Sequence, residues 1–150
     1  MSDYLGAMRT YLLATAGVTA LLADSQAVYV ADVQPFAGHA PRALKPDVQQ
    51  PSYVVLHGIG DPGHYCLDGV ADVYNPLVQA ESWATTAVAS SALADAVDTA
   101  LRAYRGALNG SVRSLGCFRR DRRGPVATDT QDGGERPLFV VQTDYEVWRR

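Results

Sequence analysis

Hydrophobic and polar positions change period along this chain, and the changes mark its elements. From Leu77 to Ala84 the pattern alternates, with Leu77, Gln79, Glu81 and Trp83 on one side and Val78, Ala80, Ser82 and Ala84 on the other, which predicts a strand. From Thr86 to Tyr104 the period lengthens: Val88, Leu93, Val97, Leu101 and Tyr104 recur mostly at three- and four-residue steps. Ser91, Asp95, Asp98 and Arg102 fill the opposite side, so an amphipathic helix is expected. Its many alanines favour the helix and allow close approach to a sheet. Trp83, Leu93, Val97 and Leu101 are expected in one core, against a sheet that includes Val54 and Val141.

The remaining elements fit around this strand and helix. Ser2 or Asp3 can cap a first helix with Leu5, Met8, Leu12 and Thr15 on one stripe, Gly17 ends it, and Val18 to Ala23 adds a further turn. Ala27 to Val33 has strand composition and stops before Pro35, and the proline-punctuated stretch between Gln34 and Pro51 reads as a surface crossing. Ser52 to Ile59 is nearly continuously apolar and is expected as a central strand, followed by a Gly-, Asp- and Pro-rich excursion over 58–76. Gly106 and Asn109-Gly110 are stop and turn signals. Val112 to Arg119 is a candidate strand, Arg120 to Pro137 a mobile loop, and Leu138 to Trp148 an alternating final strand. The pattern as a whole is α+β: a single domain over 1–150, with a mixed or antiparallel sheet of about four to five strands, an N-terminal helix and one long helix packed on it.

Composition narrows the function classes. The 150 residues suffice for a core without disulfides, 47% hydrophobic and 19% charged content is ordinary for a globular chain, and a net charge of −3 argues against a general nucleic-acid binder. Cys66 and Cys117 form no metal or redox motif, and no segment has the length of a membrane span. The basic residues are skewed: Lys45 is the only lysine, and Arg119, Arg120, Arg122 and Arg123 flank Asp121 in a run suited to carboxylates or phosphates. A solvated surface would read the same way.

Reactive chemistry is sparse. His57, Asp61 and His64 have metal-ligand residue types at short spacing, but the spacing matches no site motif, and a small metal-dependent hydrolase would need all three to converge. There is no GxSxG elbow and no phosphate loop, and Pro62 interrupts the glycines at 58, 60 and 63. No catalytic, cofactor-binding or metal site is therefore assigned.

Several phrases in a fixed order carry more information than any one motif: LLATAGVTALLAD, VYV, QPSYVVL, LVQAESWATT before an alanine-rich helix ending ALRAY, and a terminal DYEVW. Their layout resembles the tail-completion or tail-terminator proteins of long-tailed bacteriophages and phage-like gene-transfer particles. The chain departs from that layout in its 58–76 excursion and its arginine run. The resemblance implies a structural virion protein, not an enzyme, that assembles into a hexameric ring. The ring would cap the tail tube, end its polymerisation, and join it to a head-side connector or stopper protein, with DNA passing through the lumen. It implies location at the head–tail junction of the virion, and in the host cytoplasm during assembly. Arg119, Arg120, Arg122 and Arg123 are the expected partner-binding residues, chosen by charge and position. Another neck component, a connector or stopper, is the alternative reading.

Overall fold

A computed structural model describes residues 3–23, 25–31, 52–60, 65–66, 69–70, 75–109, 112–128 and 138–149. Among the described residues three helices and eight strands follow in chain order: α1 (Asp3–Ala14), α2 (Ala16–Thr19), β1 (Val28–Ala31), β2 (Tyr53–Gly60), β3 (Tyr65–Cys66), β4 (Gly69–Val70), β5 (Leu77–Ala84), α3 (Ala87–Ala103), β6 (Gly106–Asn109), β7 (Val112–Thr128) and β8 (Leu138–Arg149). Six strands form one sheet in the order β1-β2-β5-β8-β7-β6, and β3 and β4 pair separately. Among the described strands only the β1–β2 pairing is parallel, so the sheet is mixed, as expected of the α+β class. The sheet reaches six strands because the segment expected only as a stop and turn, Gly106 to Asn109, pairs with the start of β7.

The change of period at Thr86 is a change of element. Thr86 is extended, and its hydroxyl accepts a hydrogen bond from the Ala89 amide at 3.1 Å, satisfying one of the amides that the first turn of α3 leaves open. Along α3, Leu93, Val97, Ala100 and Leu101 face the sheet and join Leu5, Met8 and Leu12 of α1 with Val54, Leu56, Val78 and Ala80 in the main core. Tyr11 of α1 donates to the Ala100 carbonyl at 2.9 Å and packs on Tyr104, which ties the two helices together.

Several expectations need correction. Gly17 does not end the first helix; the break falls at Thr15, and Gly17 lies within α2. Val88 is 81% exposed, one residue off the stripe that α3 buries. Trp83 is not in the α3 core: alternation sends it through the opposite face of β5, where it stacks at 3° on Tyr53 beside Val55 and Val140. β2 is second from the edge, with β5 and β8 holding the centre.

The largest correction concerns the arginine run. β7 continues to Thr128, so Arg120 to Thr128 are strand and not loop; residues 129–137 lie outside the described residues. Three register shifts against β8, between Ser114 and Gly116, Arg119 and Asp121, and Arg123 and Val126, hide the strand's period. The last surrounds Gly124, whose φ is +98° and where a Cβ would lie 2.6 Å from the Val140 carbonyl oxygen, so both the backbone and the space require glycine.

Candidate functional site

The arginines of β7 divide between the two faces of the sheet. Arg119 and Arg122 point toward α3, where Arg119 reaches Asp98 at 3.2 Å and Arg122 pairs with Asp95. Arg120 and Arg123 point the other way, to Glu146 and Asp144 of β8, each at 2.9 Å. The bulge between Arg119 and Asp121 inserts one residue and so resets which side chains face the helix. The run, which contains only Asp121 among its arginines, was expected to take carboxylates or phosphates from outside; the structure supplies a carboxylate from α3 or β8 to each arginine, and Arg123 also lies 3.7 Å from Asp121. The guanidinium-bearing side chains remain 40% (Arg119), 65% (Arg120), 27% (Arg122) and 50% (Arg123) exposed, so each is held in place yet accessible from outside.

Asp98 is the hub on the helix side. Expected on the solvent side of α3, it is 5% exposed, accepts a hydrogen bond from the buried Tyr145 hydroxyl at 3.1 Å, and pairs with Arg102 and Arg119. A buried carboxylate is tolerable only with such partners. Burial, with the negative charge of Asp98 adding to it, pushes the Tyr145 phenol well above its ordinary range. Burial likewise pushes the Cys117 thiol up to about 12, so it behaves as a small core side chain.

The opposite face carries a ladder of polar side chains that no described helix covers. Glu81 accepts from Gln142 at 2.9 Å and from the Trp83 indole at 3.1 Å, with His57 Nε2 at 3.2 Å. Gln79 donates to Asp144 at 2.8 Å and Asn75 to Glu146 at 2.7 Å, so the carboxylates that hold Arg123 and Arg120 are braced from β5 and its approach. Burial works to raise the Glu81 pKa, but the contact with His57 and the hydrogen bonds from Gln142 and Trp83 outweigh it and hold the carboxyl below its ordinary range. The His57 contact is off the line of a hydrogen bond, and among the described residues neither His57 Nδ1 nor the Tyr53 hydroxyl has a hydrogen-bond partner.

Of the metal-ligand candidates, His57 is thus turned onto Glu81, while Asp61 and His64 lie outside the described residues. No group of three potential metal ligands occurs among the described residues, and no described helix is long and apolar enough to cross a membrane. Sequence reasoning missed Asp95, Asp98, Asp144 and Glu146 as the arginines' partners. Alternation did place Asp144, Glu146 and Trp148 on one face of β8, and that was the available signal.

The fold defines a class: a mixed sheet, covered on one face by an N-terminal helix and a longer helix, with a long two-stranded ribbon of β7 and β8. A solved chain from the "Virion of native gene transfer agent (GTA) particle" shares this fold at a TM-score of 0.55, with 21% identity over 96% of this chain and 93% of that one. No family model and no curated protein matches the chain.

Proposed function

We propose that this chain is a structural virion protein of a phage-like particle that forms a ring on the end of the tail tube. The observation carrying this reading is the end-to-end fold match with a virion chain of the gene transfer agent particle, which spans 96% of one chain and 93% of the other. The phrases LVQAESWATT and DYEVW support the narrower tail-terminator reading; they fall on β5 and β8, which form the centre of the sheet. In this reading the ring, a hexamer, stops tube growth and offers its other face to a connector or stopper protein at the head–tail junction. DNA passes through the lumen, and no reaction is catalysed. Arg119, Arg120, Arg122 and Arg123 contribute to the partner surface as guanidinium groups already oriented by their carboxylates, which lowers the ordering cost of a contact.

The test is disruption of the gene in its producing strain, with particles viewed by electron microscopy. A terminator leaves filled heads separate from tails of irregular length, and complementation restores joined particles. Tails of uniform length beside leaking heads would assign the chain to the connector or stopper position instead. Normal particles at normal yield would overturn the virion reading altogether.

A further inference from the structure

β1 forms one edge of the main sheet, and its own sequence carries none of the features that protect an edge. Its four residues, VYVA, are apolar and mostly of high strand propensity, with no charge and no proline among them. Its register with β2 runs unbroken from Val28 opposite Val54 to Ala31 opposite His57, so no bulge twists the edge away. Toward the far side of the sheet, β7 interrupts its own edge with three register shifts and a run of arginines. A regular, apolar edge strand is a template for another strand, so whatever closes β1 has to come from a different element.

The ladder fixes which backbone groups are at stake. The Val54 amide donates to the Ala27 carbonyl at 2.9 Å, and in a parallel pair this directs the polar groups of Tyr29 toward β2 and those of Val28 and Val30 outward. Both outward groups of Val28 are already engaged. Its amide donates back to the Gln26 carbonyl at 2.8 Å, and its carbonyl accepts from Arg9 Nε of α1 at 2.7 Å. A second contact, Arg9 Nη2 to the Gln26 side-chain oxygen at 3.3 Å, orients the guanidinium, and Val28 is fully buried in spite of its edge position. Among the described residues, only the outward amide and carbonyl of Val30 are left for an added strand.

Arg9 does more than satisfy one carbonyl. Among the described residues no carboxylate pairs with it, so it places an uncompensated positive charge on the edge. A strand added here would have to displace the guanidinium from Val28 or take its charge out of water, and a buried charge without a partner is costly. The helix delivers this residue by its spacing: α1 buries Leu5, Met8 and Leu12 in the core, and position 9 falls at the flank of that stripe, within reach of β1.

We propose that Arg9 guards the β1 edge, closing it to strand addition by a second copy of this chain. The inference concerns the purified chain and stands or falls apart from the virion reading. The test compares the wild type with Arg9→Met, which keeps an unbranched stem and removes every donor, by sedimentation velocity over a concentration series and by amide hydrogen exchange. Arg9→Met forms larger species at concentrations roughly tenfold or more below those at which the wild type does, because the closed edge has lost a charged hydrogen bond, and in those species the Val30 amide becomes protected. Adding Val30→Pro, which removes the remaining outward donor and leaves the bonds to β2 in place, returns the variant to the sedimentation of the wild type. Arg9→Met chains that sediment like the wild type at every concentration would overturn the inference, and so would association that leaves the Val30 amide unprotected or that persists with Val30→Pro. Loss of the folded circular dichroism spectrum on Arg9→Met alone would make Arg9 a structural donor and overturn it as well.

Discussion

Replacing Asp98 by alanine tests the structure where it departs most from a simple amphipathic helix. As a solvent-facing helix residue, Asp98 would be replaceable within about 0.5 kcal/mol, and alanine's higher helix propensity would favour the variant. The structure predicts a loss. Tyr145 is fully buried and donates its hydroxyl to Asp98, so the substitution leaves a phenol without its acceptor, which costs about 1–3 kcal/mol. Arg102 and Arg119, at 57% and 40% side-chain exposure, can turn to water, so their lost pairs add only about 0.2–1 kcal/mol each. The propensity gain offsets about 0.5 kcal/mol, leaving a net destabilisation of about 2 kcal/mol. At this chain length that corresponds to a fall of roughly 4–8 °C in the thermal midpoint. Urea titration measures it, and a double-mutant cycle with Tyr145→Phe isolates the hydroxyl contact. In the Tyr145→Phe background, Asp98→Ala should cost about 1 kcal/mol less than in the wild type. A loss under about 0.5 kcal/mol, or strict additivity in the cycle, would refute the buried-hub argument.

Other substitutions test the remaining packing and charge assignments. Leu101→Ala, at a fully buried position in the α3 core, should cost about 2–5 kcal/mol in urea titration, whereas Val88→Ala, 81% exposed, should stay within about 0.5 kcal/mol. Changing Arg119, Arg120, Arg122 and Arg123 together to serine should lower stability by about 1–2 kcal/mol, because it removes partners from Asp98 and Glu146, while far-UV circular dichroism stays unchanged. The depressed Glu81 carboxyl makes unfolded chains bind more protons than folded ones between the two pKa values. Its contribution is therefore present above about pH 4.3 and is lost as pH falls through the folded-state pKa; Glu81→Gln should flatten that acid limb in urea titrations at stepped pH. Cys117 is 3% exposed with its pKa pushed up to about 12, so its labelling by a thiol reagent should track the rate of opening, and rise steeply in denaturant.

The legible parts of the fold were those whose pattern is decided locally. β5 agrees with the alternating stretch at both ends, Leu77 and Ala84, and α3 begins one residue after Thr86, because the switch from period two to period 3.6 is written in consecutive residues. The faces of β8 followed in the same way. β7 was misread beyond Arg119 because an edge strand exposed on both sides carries no apolar alternation, and its register shifts break what period remains. Asp98 was placed outside because the groups that make its burial tolerable, Tyr145 and Arg119, come from other elements and leave no mark around position 98. Trp83 was grouped with α3 although its own alternation set it beside Gln79 and Glu81; the periodicity was correct and the grouping was not. The four arginines were identified as a group, but their division between two faces depends on a bulge that composition does not encode.

The order of the strands also bears on how the chain folds. β5 lies between β2 and β8, and its register with β8 pairs Leu77 with Glu146 and Ala84 with Phe139. Between those partners the chain must complete α3, β6 and β7, so the central seam of the sheet closes across a long loop, whereas the β7–β8 ribbon joins neighbours in sequence. Topologies dominated by such distant pairings fold slowly. The ribbon and α3 should therefore acquire protection from hydrogen exchange early in refolding, with β5 and β2 following once β8 presents its inner edge. Until then the apolar run Tyr53 to Leu56 is uncovered, which makes the interval before the seam closes the one most open to aggregation.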